Sequence, residues 1–344
     1  MTKFNSSNMY ELTTSQENLE ALPPDDESES LLPARATVGG IVLACGAFST
    51  LLSLVWMYLP DTVLPFAKTS LIGFSAVTLL RLFLCLLVPV IFFAARYHIE
   101  DTRIIGKNPG LGALLLSFLA GAPATLILVA LHNLIVRYLA AQGITMVLPA
   151  FFYASKDMSP ESQLLALASA FLIPVIMQEL FFRGLFFSVW PRYTAVLPKI
   201  LISAILFALF MQNPVDFIPF LLLGILLGYI RHATNNFLCP VITQISMLLT
   251  YYAFSGLLPY LDYMSSMNTY EPDTVSLYTS TAAIVMSLLA LLPVLAQVRR
   301  MSVDAAALET GEDNEDFGLR GQFGWSFGLG LLLFATSWVL LLQI

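Results

Sequence analysis

The sequence predicts an all-α polytopic membrane protein, a bundle of about nine transmembrane helices. Three observations carry this. Of its 344 residues, 58% are hydrophobic and only 11% charged, against about a quarter charged in soluble domains. Apolar stretches of about twenty residues recur, each long enough to cross a hydrocarbon layer of about 30 Å at 1.5 Å per residue. Lysine and arginine also fall mainly in alternate connecting segments, on one side of the membrane, as they do in membrane proteins.

The predicted spans are residues 37–59, 71–95, 109–136, 163–190, 196–212, 216–230, 238–259, 277–297 and 324–343. The first follows an acidic tail, residues 1–36, whose Pro23-Pro24 pair and DDESES run are too polar to bury a core; it reads as disordered, and the first span serves as the targeting signal. The second carries Arg81 within an apolar run, and the third carries His132 and Asn133. The segment 145–155 is too short to cross and reads as interfacial or re-entrant. The fourth span is long enough to project past one face, whereas the fifth and sixth are short and sit deep or tilted. Residues 260–276 hold acids and no bases and read as an external loop, and 299–321 as an acidic linker to the last span. Trp56, Tyr58, Trp190, Tyr251, Tyr252 and Trp325 lie near span ends, where amphipathic rings favour the headgroup level. Gly224 with Gly228, and Gly324 with Gly328, have the four-residue spacing that brings helix backbones together, read here as packing inside the bundle.

With the N-terminus inside, cytoplasmic segments hold Lys3, Arg35, Arg96, Arg103, Lys107, Arg192, Lys199, Arg231, Arg299, Arg300 and Arg320. External segments hold only Lys68, Arg137 and Lys156. That bias places the N-terminus in the cytoplasm and suggests a plasma (inner) membrane protein. The net charge of −7 comes from the tail and the linker, so the membrane body is nearly neutral and lacks the basic stripe of a nucleic-acid binder. Cys45, Cys85 and Cys239 fall inside spans without paired spacing and read as apolar packing residues. His98, His132 and His232 lie apart in regions with no metal-binding spacing, so neither a metal nor a cofactor is expected.

A charged side chain in mid-membrane costs about 2.5–3.5 kcal/mol on insertion scales, so each one demands a reason. In IMQELFFRGLFF, Glu179 and Arg183 are four residues apart and share a helix face, where pairing lowers the cost of both. Arg81 is the other intramembrane charge, with Glu179 and Gln178 as candidate partners. His132 with Asn133 reads as a satisfied buried hydrogen-bonding pair.

Downstream lie SAILFALFM at 203–211 and LLLGILLGYIRHATNNFLCPVITQISM at 221–247. In this layout the chain resembles the CAAX protease and bacteriocin-processing family of intramembrane endopeptidases over about residues 165–255. The resemblance implies a CAAX-protease-like core at 161–259, between N-terminal helices at 37–160 and C-terminal helices with their linker at 277–344. The family's first motif is two glutamates, three residues and an arginine, the first glutamate acting as base and the second pairing with the arginine. Here those positions are Gln178, Glu179 and Arg183. The second motif is phenylalanine, three residues and a histidine that helps hold water, matched by Phe207 and Met211. The third is histidine, three residues and an asparagine thought to stabilise the oxyanion, and it aligns with Gln244 and Leu248.

Peptide hydrolysis needs a base to deprotonate water and donors aimed at the oxyanion. Glutamine keeps the shape of glutamate but takes no proton, and methionine and leucine supply neither function. The sequence is therefore read as a catalytically degenerate relative that binds or scaffolds a transmembrane or lipid-modified polypeptide within the bilayer. Glu179 is the provisional catalytic residue of the alternative, an active endopeptidase, in which His132 or a partner subunit supplies the missing groups. A transporter is a third reading, disfavoured because mid-span polarity is concentrated in one cluster.

Overall fold

The computed structural model describes residues 27–58, 71–99, 101–143, 159–190, 196–255, 274–306 and 324–342, and all that follows concerns these. The predicted segment at 145–155 and most of the 260–276 loop and the 299–321 linker lie outside them.

Each of the nine predicted spans falls on a helical stretch. In chain order these are α1 (Glu27–Tyr58), α2 (Leu71–Arg96), the short α3 (Asp101–Ile105), α4 (Leu111–Ala141), α5 (160–188), α6 (Val196–Met211), α7 (Phe217–Thr234), α8 (Leu238–Ser255), α9 (Thr274–Ala306) and α10 (Trp325–Leu342). Five helices, α1, α2, α4, α7 and α9, contain stretches long and apolar enough to cross a membrane; α6, α8 and α10 are shorter apolar helices. Two boundaries differ from the sequence reading. α1 begins at Glu27, within the stretch assigned to the tail, and α9 runs on to Ala306, into the linker. Hydropathy marks where a helix leaves lipid, not where its hydrogen bonds stop, so both extensions lie in polar sequence.

Two long helices carry wide π turns whose cause is local. In α2 the turn covers Phe83–Leu87, closing with Val88 N–H donating to the Phe83 carbonyl, and Pro89 follows directly. In α5 the turn at Ala168–Leu172 closes with Ile173 N–H on the Ala168 carbonyl, and Pro174 follows. Proline has no N–H and its ring crowds the carbonyl four residues back, so a locally widened turn keeps the helix going through it. A second π turn in α5, Leu180–Leu185, has no proline; it contains Arg183, and its Gly184 lies against Ile104 of α3.

The main core gathers side chains from α1, α2, α5, α6, α7 and α10, including Ile41, Leu86, Phe182, Phe207, Leu227 and Phe334. α4 packs on α8 and α9 around a smaller cluster with Ala120, Cys239 and Leu291. The glycine expectation holds for one pair. A Cβ at Gly224 would stand 2.7 Å from the Cα of Ala204, and one at Gly228 would stand 3.1 Å from Ile200, so these residues let α6 and α7 pack closely. On α10 the close approach is at Gly330 instead, against the backbone of Val42 and Leu43 on α1, while a Cβ at Gly328 would meet nothing within 4 Å. Trp190 is not a surface anchor: it is 2% exposed and packs edge-on against Phe186, whereas Trp325 is 79% exposed.

Candidate functional site

The fifth helix delivers the site from two adjacent faces of one turn. Gln178 and Glu179 are consecutive, about 100° apart around the axis, and both are buried. Glu179 looks toward α7 and α8. Its Oε1 accepts from Arg183 Nη1 at 3.0 Å and from Gln244 Nε2 at 2.5 Å, while Oε2 finds no hydrogen-bond partner among the described residues. Arg183, 0% exposed like Glu179, extends its second nitrogen to the Gly224 carbonyl at 3.1 Å. Its guanidinium lies 4.6 Å from the centre of the Phe207 ring. A buried carboxylate is tolerable only when paired and hydrogen-bonded, and the two donors on Oε1 supply both conditions.

Gln178 looks toward the end of α6. Its amide nitrogen lies 3.5 Å from the Met211 sulfur, a weak acceptor. The two positions that the resemblance assigns to a base and its histidine thus touch, as an amide and a thioether. Leu248 lies one turn beyond Gln244 on α8, half-buried, and adds only apolar surface. Gln178, Glu179, Arg183, Phe207, Met211 and Gln244 are therefore gathered from three helices, α5, α6 and α8, with α7 joining through the Gly224 carbonyl.

Several residues that hold this cluster escaped sequence reasoning. Arg231 is 4% exposed and donates to the carbonyls of Arg183 at 2.8 Å, Arg103 at 3.1 Å and Ile104 at 3.3 Å, tying α7 to α5 and α3. Charge-bias counting treats such an arginine as a loop residue; its place at the α7 terminus beside Asn235, in the left-handed region at φ 46°, marks instead a tight turn with carbonyls to satisfy. Arg81 does not pair with Glu179 or Gln178. It donates to the Phe210 carbonyl and stacks on the Phe210 ring, 4.4 Å from its centre. A backbone carbonyl freed at a helix end has no sequence signature, so that partner was not legible. His132 is satisfied, as expected, but through Asp216 at the start of α7. His98 and His232 are exposed, and no cluster of metal-ligating side chains occurs among the described residues.

Residues 160–249 match the family described as "Type II CAAX prenyl endopeptidase Rce1-like". No curated protein and no solved structure matches the chain. The matched stretch begins at the first residue of α5 and ends within α8, enclosing all six gathered residues. The chain is thus an all-α polytopic membrane protein with a segment, residues 160–249, that matches the Rce1-like family of Type II CAAX prenyl endopeptidases.

Proposed function

We propose that this chain is a catalytically degenerate CAAX-protease-like protein that binds or scaffolds a membrane-embedded or lipid-modified polypeptide at the Gln178–Gln244 cluster. The observation that carries the reading is the contact between Gln178 and Met211. An amide takes no proton from water, and a thioether neither relays a proton nor orients a hydroxide. The surviving carboxylate has Arg183 and Gln244 on one oxygen, an arrangement suited to holding α5, α7 and α8 together. The chain is read as a plasma (inner) membrane protein with a cytoplasmic N-terminus, on the distribution of its lysines and arginines.

The test is equilibrium binding of a fluorescent farnesylated peptide, and separately of a hydrophobic transmembrane peptide, to the protein in phosphatidylcholine nanodiscs. Saturable binding of one or the other, weakened by Gln244→Ala, is expected. Absence of saturable binding for both overturns the reading.

One observation favours a second reading. Glu179 Oε2 is buried with no hydrogen-bond partner among the described residues, so lone pairs able to take a proton remain. An active endopeptidase would use them, and its signature is cleavage lost on Glu179→Ala.

A further inference from the structure

The turn between α6 and α7, residues 212–216, directly follows Met211 and is held from four sides by helices outside the matched segment. From α10, Trp338 Nε1 donates to the Leu209 carbonyl at 2.6 Å. From α2, Arg81 donates to the Phe210 carbonyl. Gln212, in the left-handed region at φ 54°, donates to Ser49 Oγ of α1 at 2.9 Å and to Ser337 Oγ of α10 at 2.8 Å. From α4, His132 Nδ1 meets Asp216 Oδ1, while Asn213 Nδ2 donates to Asp216 Oδ2 at 2.6 Å and Asn213 Oδ1 accepts from Val215 N–H at 3.1 Å.

These four attachments differ in kind. Three end on backbone carbonyls or hydroxyls and are neutral at the acceptor. The fourth joins an imidazole to a carboxylate, 14% exposed on each side. The Glu179–Arg183 pair lies within one helix, whereas the His132–Asp216 contact joins two separate elements. Polar contacts this little exposed are best attested as setters of register. Asp216 also orients Asn213, which in turn bonds the backbone of Val215. One contact from α4 therefore reaches Asn213 and Val215 through Asp216.

We infer that His132 and Asp216 are positioning residues for the candidate site: their pairing fixes the α6–α7 turn and, through it, the placement of Met211 against Gln178. The inference rests on the reading of Gln178 and Met211 as a wall of the binding site. α4 thereby acts on the site through the turn, and loss of either partner lets the end of α6 move away from α5.

The test is the rate of N-ethylmaleimide labelling of Met211→Cys in nanodiscs, read by mass spectrometry after digestion. The buried Cys45, Cys85 and Cys239 serve as internal controls. His132→Ala and Asp216→Ala should each raise labelling at position 211 about tenfold, with no further rise in the double variant, because neighbours sharing one interaction are not additive. Exchanging the pair, His132→Asp with Asp216→His, should return the rate toward that of the parent. Parent-like rates in the single variants, multiplied rates in the double, or a parallel rise at the three native cysteines each overturn the inference; the last would mean general loosening. Farnesylated-peptide binding by the parent is measured alongside. Its absence overturns the binding reading, while the labelling decides the latch by itself.

Discussion

Replacing Arg183 by methionine removes the cation from a fully buried pair while nearly conserving side-chain length. In the native site Arg183 gives one hydrogen bond to Glu179 at 3.0 Å and one to the Gly224 carbonyl at 3.1 Å, over the Phe207 ring. After the change Glu179 keeps only the Gln244 amide, with Oε2 already unpartnered among the described residues. Breaking a buried pair from one side costs about 3–5 kcal/mol, because the remaining charge is left uncompensated. Methionine leaves little cavity, so about 4 kcal/mol is expected, roughly a thousandfold in the unfolding constant. Adding Glu179→Gln removes the stranded charge and keeps the bond to Gln244. The double variant should therefore lie within about 1.5 kcal/mol of the parent, since replacing both members of a buried pair is often close to neutral. The assay is unfolding in mixed dodecyl sulfate and maltoside micelles, followed by tryptophan fluorescence for all four proteins of the cycle. An Arg183→Met variant within about 1 kcal/mol of the parent, or a double variant no better than the single, would refute the view that Glu179 is a charge held by Arg183.

Other substitutions probe the frame around the site. Gly224→Ala places a Cβ 2.7 Å from the Ala204 Cα and should destabilise by about 1–3 kcal/mol, whereas Gly328→Ala, with nothing within 4 Å, should be neutral or stabilising in the same melting assay. Arg231→Lys exchanges a fork that reaches three carbonyls for a single ammonium, and about 1.5–3 kcal/mol should be lost, with faster proteolysis around α3 as the local signature. Gln212→Leu removes both bonds to Ser49 and Ser337 and should cost about 1–3 kcal/mol, read by thermal melting.

Much of the helical layout was legible because lipid imposes a simple rule: a stretch that crosses must be apolar for its whole length. The ends of α1 and α9 escaped that rule, since hydrogen bonding continues into Glu27 and Ala306 after hydropathy has fallen away. The π turns escaped too, because Phe83–Leu87 and Ala168–Leu172 read as unbroken helix; only Pro89 and Pro174 hinted at an accommodation. At the site, the pairing of Glu179 with Arg183 followed from four-residue spacing. The bond from Gln244 to Glu179, 65 residues apart, did not, because the alignment had set Gln244 in an oxyanion position. Arg81 shows the opposite case: the sequence offered two polar side chains, Glu179 and Gln178, whereas the partners are a carbonyl and a ring. Asp216, which the sequence places only at the start of the sixth span, lies 84 residues from the His132 it meets.

The most direct measurement is mass-spectrometric detection of cleavage of a farnesylated CAAX peptide by the purified protein in nanodiscs, with Glu179→Ala in parallel. With an amide at position 178 and a thioether at 211, the parent and the Glu179→Ala protein should both leave the peptide intact, at the level of empty nanodiscs. Cleavage by the parent that disappears in Glu179→Ala would contradict the degenerate reading and make Glu179 the base.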